Sequence, residues 1–191
     1  MDLQKDIDYM AGCAKQCRLE YDEVAPVAFI RAKFGCTVFP LHEFSSSRET
    51  AYGKLGFVAA MSNAQRVIVV SDAALRKADS EEMEYVGKNL DTESPLTYPE
   101  GHPCRTECIA LMVVDIERQK SLTVLYPYHR TEEGFEFDVD KEETLEGGKG
   151  MFVEAFTVGY NIAADKINDL HRDRNFRGLT AGGSAFSEDL T

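Results

Sequence analysis

The stretch that decides the fold runs from Cys108 to Arg130 and reads CIALMVVDIERQKSLTVLYPYHR. Two apolar runs, 108–116 and 121–130, flank the polar residues 117–120. A break of this length is typical of a β-hairpin loop, so the two runs are predicted to pair as antiparallel strands. Apolar side chains occupy both alternating sets of positions in the first run, which predicts a strand covered on both faces. We therefore expect a buried antiparallel ribbon inside a compact body.

Length and net charge limit the kinds of protein that this chain can be. Its 191 residues are enough for one domain with its own core. The 33 Asp and Glu outnumber the 21 Lys and Arg, for a net charge of -12, so neither nucleic acid nor an anionic membrane surface is an expected partner. No apolar run is long enough to span a membrane, and residues 1–6 are too polar for a secretory signal. The five cysteines are an odd number and do not suggest a disulfide framework, so a cytoplasmic location is expected.

The N-terminal segment carries a heptad pattern, in which apolar or small residues recur at alternating spacings of four and three. Asp2 can cap the start of a helix, and Pro26 interrupts its end, so we expect a helix to about Val24 and then a kink or a second helix opening at Pro26. Two interpretations stay open, because such a seam can pack on the core of its own domain or pair with a second copy. The seam consists of Leu3, Ile7, Met10, Ala14, Cys17, Tyr21, Val24 and Ala28.

Periodicity and turn residues predict the remaining elements. Strands are expected at 37–44, 66–70 and 135–139, and helices at 46–62, 80–90 and 151–170. A capping box formed by Ser46 and Glu49 opens the first of these helices, in which Gly53 and Gly56 would permit close packing. Ser71-Asp72 is expected to cap a short helix, and the proline-containing stretch 91–103 is expected to be a loop.

Together these elements predict an α+β fold, with an antiparallel sheet of about four to five strands flanked by the N- and C-terminal helices. Residues 1–172 are expected to form a single α+β domain. Small and polar residues without periodicity fill the C-terminal end, so residues 173–191 are expected to be a flexible tail.

One short segment offers donors for a metal ion: His102, Cys104 and Cys108 supply an imidazole and two thiols within seven residues. Zinc takes such ligands, and cysteines spaced by two to four residues are typical of a tight knuckle. Cys13 and Cys17 could add two more thiolates from one helix. The competing interpretation is that these are ordinary cysteines, and no cofactor is therefore expected.

Part of the same segment resembles the zinc deaminases. Pro103-Cys104 with Cys108, and His42-Glu43 upstream, are similar to the P-C-x-x-C and H-x-E motifs of that family. This chain departs from both motifs, because the cysteines are one residue too far apart and His42 directly adjoins Glu43. No residue role is carried over. The resemblance supports only an alternative hypothesis, a metal-assisted hydrolase or deaminase-like enzyme with candidate groups at His42, Glu43, Asp72, His102 and Cys104.

The end of the predicted hairpin carries the best candidate contact surface. Tyr126 and Tyr128 share one face of the return strand and are followed by His129 and Arg130. Aromatic faces beside a guanidinium can bind a ligand or a partner, although tyrosines can equally cover the edge of a core with their hydroxyls in water. We expect these four residues to form a ligand-binding patch.

The leading functional hypothesis is a non-enzymatic binding or assembly domain. It depends on the heptad seam and on the lack of a convergent catalytic set in the sequence. We expect a homo-oligomer formed through the helix 2–24.

Overall fold

The computed structural model describes residues 2–41, 47–76, 105–147 and 150–185. Within these ranges the chain forms three α-helices, seven strands and a short 3-10 helix at Val139–Lys141. The helices are α1 (Leu3–Tyr21), α2 (Arg48–Met61) and α3 (Met151–Ala185). The strands are β1 (Val27–Ala32), β2 (Gly35–Pro40), β3 (Ala64–Arg76), β4 (Arg105–Asp115), β5 (Lys120–Thr131), β6 (Gly134–Phe137) and β7 (Glu143–Glu146).

All seven strands form one open antiparallel sheet. Its order is β2-β1-β3-β4-β5-β6, and β7 pairs with the part of β5 that precedes the β6 pairing. The predicted hairpin is confirmed: β4 and β5 pair from Glu107 opposite Tyr128 to Asp115 opposite Lys120. The fold class is confirmed as well, and the sheet is larger than the four or five strands expected.

Helices cover the two faces of the sheet and create two cores. α1 packs on one face, over alternating side chains such as Phe29, Ile68 and Leu111. α2 and α3 pack on the other face, over the intervening side chains such as Ile30 and Val67. Because successive residues of a strand point to opposite faces, a central strand covered on both sides must be apolar at both sets of positions. The sequence of β4 has this property, as expected.

The heptad seam of α1 packs on the sheet of its own chain. Ile7, Met10 and Ala14 are buried in the first core, whereas Cys17 and Tyr21 are exposed. A dimer formed through α1 would therefore have to use the outward face of the helix. Whether the protein forms an oligomer stays a prediction.

The helix predicted to open at Pro26 is wrong, because the chain enters β1 at Val27. α1 ends at Tyr21, where Asp22 adopts a left-handed backbone conformation with φ of 58°. β1 then lies between β2 and β3 and is paired on both sides. Its β-branched and aromatic residues pack on both cores, and this tertiary pairing overrides the helical spacing that Ala28 continues.

The helix cap predicted at Ser71-Asp72 is also wrong. β3 continues through both residues to Arg76, because β4 supplies a pairing partner for each one, with Asp72 opposite Ile109. The side chain of Asp72 consequently projects from the sheet on the α1 face, where it contributes to the site described below.

Glycines allow α2 and α3 to pack at backbone distance. A Cβ atom on Gly56 would lie 2.0 Å from the carbonyl oxygen of Phe156, and one on Gly159 would lie 1.8 Å from the carbonyl oxygen of Gly53. The helical spacing of Ala51, Leu55, Val58 and Ala59 predicts the buried face of α2. The first, second and fourth of these are buried, and Val58 is partly buried. The cap of α2 is Ser47 rather than Ser46, and its side chain accepts a hydrogen bond from the amide of Thr50.

α3 begins at Met151, as predicted, and continues to Ala185, past the expected end near residue 170. The flexible tail at 173–191 stays a prediction. The helix predicted at 80–90 and the loop predicted at 91–103 lie outside the described residues.

Candidate functional site

A cavity of about 500 Å³ opens where β4 begins and β5 ends. It holds three of the four residues expected to bind a ligand, namely Tyr128, His129 and Arg130. The full lining is Arg105, Thr106, Glu107, Tyr128, His129, Arg130, Phe135, Asp138 and Lys141.

Strand register brings this lining together. Glu107 of β4 lies opposite Tyr128 of β5, and β6 places Phe137 and Phe135 opposite Tyr128 and Arg130. The alternation of side chains along β5 directs Tyr128 and Arg130 to the α1 face and His129 to the other face. α1 ends at Tyr21, so its last turn lies beside these groups.

Tyr128, the buried Arg18 and the half-buried Asp72 form a polar cluster beside the cavity. Arg18 of α1 donates a hydrogen bond to the Tyr128 hydroxyl, and that hydroxyl donates to Oδ1 of Asp72 at 3.2 Å. Nη1 of Arg18 lies 3.5 Å from Oδ2 of Asp72 and donates to the carbonyl of Asp22 at 2.7 Å. Burial raises the pKa of Tyr128, reinforced by the charge of Asp72, so the phenol stays protonated at neutral pH and can donate this bond. The cluster connects the end of α1 to β3 and β5.

Arg130 forms the exposed rim of the cavity. Its Nη2 lies 3.1 Å from both carboxylate oxygens of Asp22, and the two side chains are 60% and 63% exposed. The guanidinium carbon of Arg130 lies 5.0 Å from the centre of the Phe135 ring, and that of Arg18 lies 4.3 Å from it. An exposed ion pair of this kind contributes little stability, about 1 kcal/mol at most. Arg130 can therefore exchange Asp22 for another carboxylate at small cost.

A second group of charges lies on the other side of the cavity. Nδ1 of His129 is 3.0 Å from Oδ1 of Asp138, and Nζ of Lys141 is 3.1 Å from Oδ2 of the same carboxylate. Desolvation raises the pKa of Asp138, but hydrogen bonds and charges from Lys141 and His129 outweigh it and lower the pKa below its ordinary value of 3.8. Asp138 is therefore ionised at neutral pH and contacts both His129 and Lys141.

Three of the four basic side chains in the lining are exposed, and the fourth, Arg105, is 16% exposed. Arg130, His129 and Lys141 are 60%, 52% and 61% exposed, whereas the side chains of Glu107 and Asp138 are 22% and 18% exposed. Glu107 is also paired with Arg105 within the lining. The most exposed charged side chains of the lining are therefore basic.

Tyr126, the remaining predicted binding residue, does not line the cavity. It is buried beneath α1, where Nζ of Lys15 lies 4.1 Å from the centre of its ring. Burial raises its pKa to about 12. The structure thus gives Tyr126 the surroundings of a core residue, and its role as a ligand contact stays a prediction.

The predicted metal ligands are only partly within the described residues. Cys108 is fully buried, and desolvation raises the pKa of its thiol to about 12, which disfavours the thiolate that binds a metal. His102 and Cys104 lie outside the described residues, as do His42 and Glu43. In the described ranges no three His, Cys, Asp or Glu side chains are grouped so that they could hold a metal ion. The metal-assisted alternative stays a prediction.

Sequence reasoning missed the groups that reach the cavity from other elements. Arg18 lies on α1, Asp22 follows that helix, and Arg105 comes just before the predicted hairpin. The pairing of β4 with β5 could have indicated Arg105. Glu107 lies opposite Tyr128, so the same pairing continued by two residues places Arg105 opposite Arg130. No local signal connected Arg18 to Tyr128, which lies 110 residues further along the chain.

No family model, curated protein or solved structure matches this chain. Among the helices of the described residues, none combines the length and apolarity that crossing a membrane requires.

Proposed function

We propose that this protein is a non-enzymatic binding domain that holds a small carboxylate-bearing molecule in the cavity at the end of β5. The observation that carries the proposal is the exposure of Arg130, His129 and Lys141 around one cavity in a chain of net charge -12. The proposal includes the expected cytoplasmic location and homo-oligomeric state, and it excludes nucleic acid as a partner.

A carboxylate fits the chemistry of Arg130. A guanidinium binds a carboxylate through two parallel hydrogen bonds, and Arg130 already contacts both oxygens of Asp22. A ligand carboxylate that replaces Asp22 would gain this contact. The exchange requires little rearrangement because both members of the existing pair are exposed.

Two aromatic rings in the lining favour an aromatic part in the same ligand. Tyr128 and Phe135 are in edge-to-face contact, with ring centres 5.6 Å apart. A cavity of about 500 Å³ is within the range of small-molecule sites. Residues 132–146 contribute Phe135, Asp138 and Lys141 to the lining and contain eight Asp or Glu against one Lys. This charge would repel a polyanion, so a ligand with one or two negative charges is the better match.

Calorimetric titration with phenylacetate tests the proposal, with phenylacetamide as the uncharged analogue. We expect phenylacetate to bind and phenylacetamide to bind at least about tenfold more weakly, because a hydrogen bond to a charged group contributes about 1.5–3 kcal/mol. Arg130→Gln should weaken phenylacetate binding by a similar factor.

Arg118→Gln is the matched control. Arg118 is also 60% exposed and also paired with one aspartate, Asp115, but it lies in the β4–β5 loop at the far end of the hairpin. Its substitution should leave binding unchanged. Equal binding of the acid and the amide, or equal losses in the two variants, would contradict the proposal.

A further inference from the structure

A second cavity, of about 320 Å³, lies on the face of the sheet that α2 and α3 cover, at the point where both helices begin. Arg48 and Tyr52 line it from the start of α2, Thr123 lines it from β5, and residues 150–153 line it from the start of α3. None of its described lining residues is acidic, in a chain of net charge -12. The cavity shares no described lining residue with the one at the end of β5.

The start of α3 presents unpaired backbone N–H groups. In an α-helix the first N–H groups have no partner within the helix. The amide of Glu154 donates to the carbonyl of Gly150 at 3.0 Å, but the amides of residues 151–153 have no acceptor among the described residues. Gly150 stands at the N-cap position and has no side chain that could accept from them. These three N–H groups, at the positive end of a 35-residue helix, can therefore bind an anion.

α2 and α3 run in the same direction, so the positive ends of both helix dipoles lie at this cavity. Tyr52 packs against Phe152, with ring centres 5.1 Å apart, and Gly56 meets the backbone of Phe156 one turn further along each helix. Arg48, the first residue of α2, adds a full positive charge and forms no ion pair with any described residue. A cation at a helix N-terminus costs stability unless an anion lies beside it. The position of Arg48 therefore favours an anion in the cavity.

Tyr52 carries a buried hydroxyl with no partner among the described residues. The residue is 8% exposed and lines the cavity, yet no described group forms a hydrogen bond with its hydroxyl. Buried polar groups are normally hydrogen-bonded, so this hydroxyl points to a molecule held in the cavity. Burial raises the pKa of Tyr52, against an opposing contribution from the charge of Arg48. The phenol is therefore protonated at neutral pH and can donate a hydrogen bond.

The acidic side chains of the neighbouring described elements lie outside the lining. Glu49 and Glu154, in the first turns of the two helices, are both exposed and do not line the cavity. β7 pairs with β5 beside Thr123, and strand alternation directs the side chain of Glu146 to the α1 face and that of Glu143 to the cavity face. Glu143 is exposed and does not line the cavity either. The described lining thus offers an anion one cation and several hydrogen-bond donors.

We infer that this cavity binds the phosphate group of a small phosphate monoester. Arg48 would supply charge-assisted hydrogen bonds, and the amides of residues 151–153 and the Tyr52 hydroxyl would donate to the remaining oxygens. Donors that converge from two helices suit a tetrahedral group with three terminal oxygens better than a planar carboxylate. Met112 and Phe152 offer apolar surface to the rest of the ester, and the volume of about 320 Å³ is within the range of small-molecule sites. This inference goes beyond the proposed carboxylate site and does not depend on it.

Calorimetric titration of the full chain with phenyl phosphate tests the inference, with phenol as the uncharged analogue. We expect phenyl phosphate to bind and phenol to show no detectable binding. Arg48→Gln should raise the dissociation constant of phenyl phosphate at least about tenfold, because charge-assisted hydrogen bonds are the stronger class. Tyr52→Phe should raise it about two- to tenfold and leave the melting temperature of the ligand-free protein unchanged, because its hydroxyl has no described partner to lose. Inorganic phosphate should bind more weakly than phenyl phosphate, because it leaves the apolar lining uncovered.

Arg130→Gln is the control, because Arg130 is an exposed arginine of the other cavity. This variant should bind phenyl phosphate like the wild type. Amide chemical shifts provide a second measurement, in which phenyl phosphate should shift the amides of residues 151–153. The inference would be overturned by a lack of binding, by equal binding of phenol, by unchanged affinity in Arg48→Gln or Tyr52→Phe, by an equal loss in Arg130→Gln, or by unshifted amides at 151–153. Inorganic phosphate that bound as tightly as phenyl phosphate would overturn the assignment of an ester.

Discussion

Replacement of glycine by alanine should destabilise the protein where α2 and α3 are in contact and stabilise it where a helix glycine faces open space. Gly159→Ala places a Cβ atom 1.8 Å from the carbonyl oxygen of Gly53, well inside contact distance. The opposing atom is backbone, so the helices must separate. Overpacking costs about 1–3 kcal/mol, and a backbone clash belongs near the upper end of that range.

Higher helix propensity offsets part of this cost. Alanine is favoured over glycine in a helix by about 1 kcal/mol, which leaves a net loss of about 2 kcal/mol for Gly159→Ala. In a chain of this length that loss lowers the melting temperature by about 4–8 °C. Gly56→Ala should behave similarly, because its Cβ would lie 2.0 Å from the carbonyl oxygen of Phe156.

Two further glycines serve as controls in the same calorimetric assay. A Cβ atom on Gly12 of α1 would have no other atom within 4 Å, so Gly12→Ala should stabilise the protein by about 0.5–1 kcal/mol. Gly53→Ala gives an ordinary contact of 3.6 Å with the Ala155 carbonyl and should change stability by less than about 1 kcal/mol. If Gly159→Ala melted at the wild-type temperature, or if Gly12→Ala were as destabilising as Gly159→Ala, the close helix contact would be refuted.

Two other predictions concern the tyrosines of β5. Tyr128→Phe removes a hydroxyl that accepts a hydrogen bond from Arg18 and donates one to Asp72. Urea unfolding should therefore show that the free energy of unfolding falls by about 1–3 kcal/mol. An unchanged unfolding midpoint would contradict these contacts. Burial raises the pKa of Tyr126 from 10.0 to about 12, so the unfolded chain releases this proton at lower pH than the folded protein does. The free energy of unfolding should therefore fall as pH rises from about 10 to 12, and that of the Tyr126→Phe variant should fall less steeply over the same interval. The same dependence of unfolding free energy on pH in both proteins would refute the burial of Tyr126.

The sequence predicts those parts of the fold that depend on residues close together in the chain. The apolar runs of β4 and β5 and the polar loop between them predicted their pairing, and the buried face of α2 followed from its spacing. β1 was missed because Ala28 continues a helical spacing, and only the pairing of Val27–Ala32 with β2 and β3 shows that the segment is extended. The Ser71-Asp72 pair was misassigned for the same reason, since partners far away in sequence determine its conformation.

The candidate site was predictable only where it lies on a single strand. Tyr128, His129 and Arg130 are consecutive on β5, and their residue types indicated a contact surface. Arg18 and Asp72 reach Tyr128 from α1 and β3 through tertiary packing, for which the sequence carries no nearby signal. Tyr126 shares the strand face of Tyr128, but its position beneath Lys15 depends on where α1 crosses the sheet.

The carboxylate site is tested most directly by a titration of the labelled protein with phenylacetate, followed by amide chemical shifts. The shifted amides should cluster around the cavity, at His129, Arg130 and Phe135, and the shifts should saturate with ligand. Shifts concentrated instead at the groove beside α1, around Met10 and Val24, or an absence of saturable shifts, would contradict a carboxylate site at the end of β5.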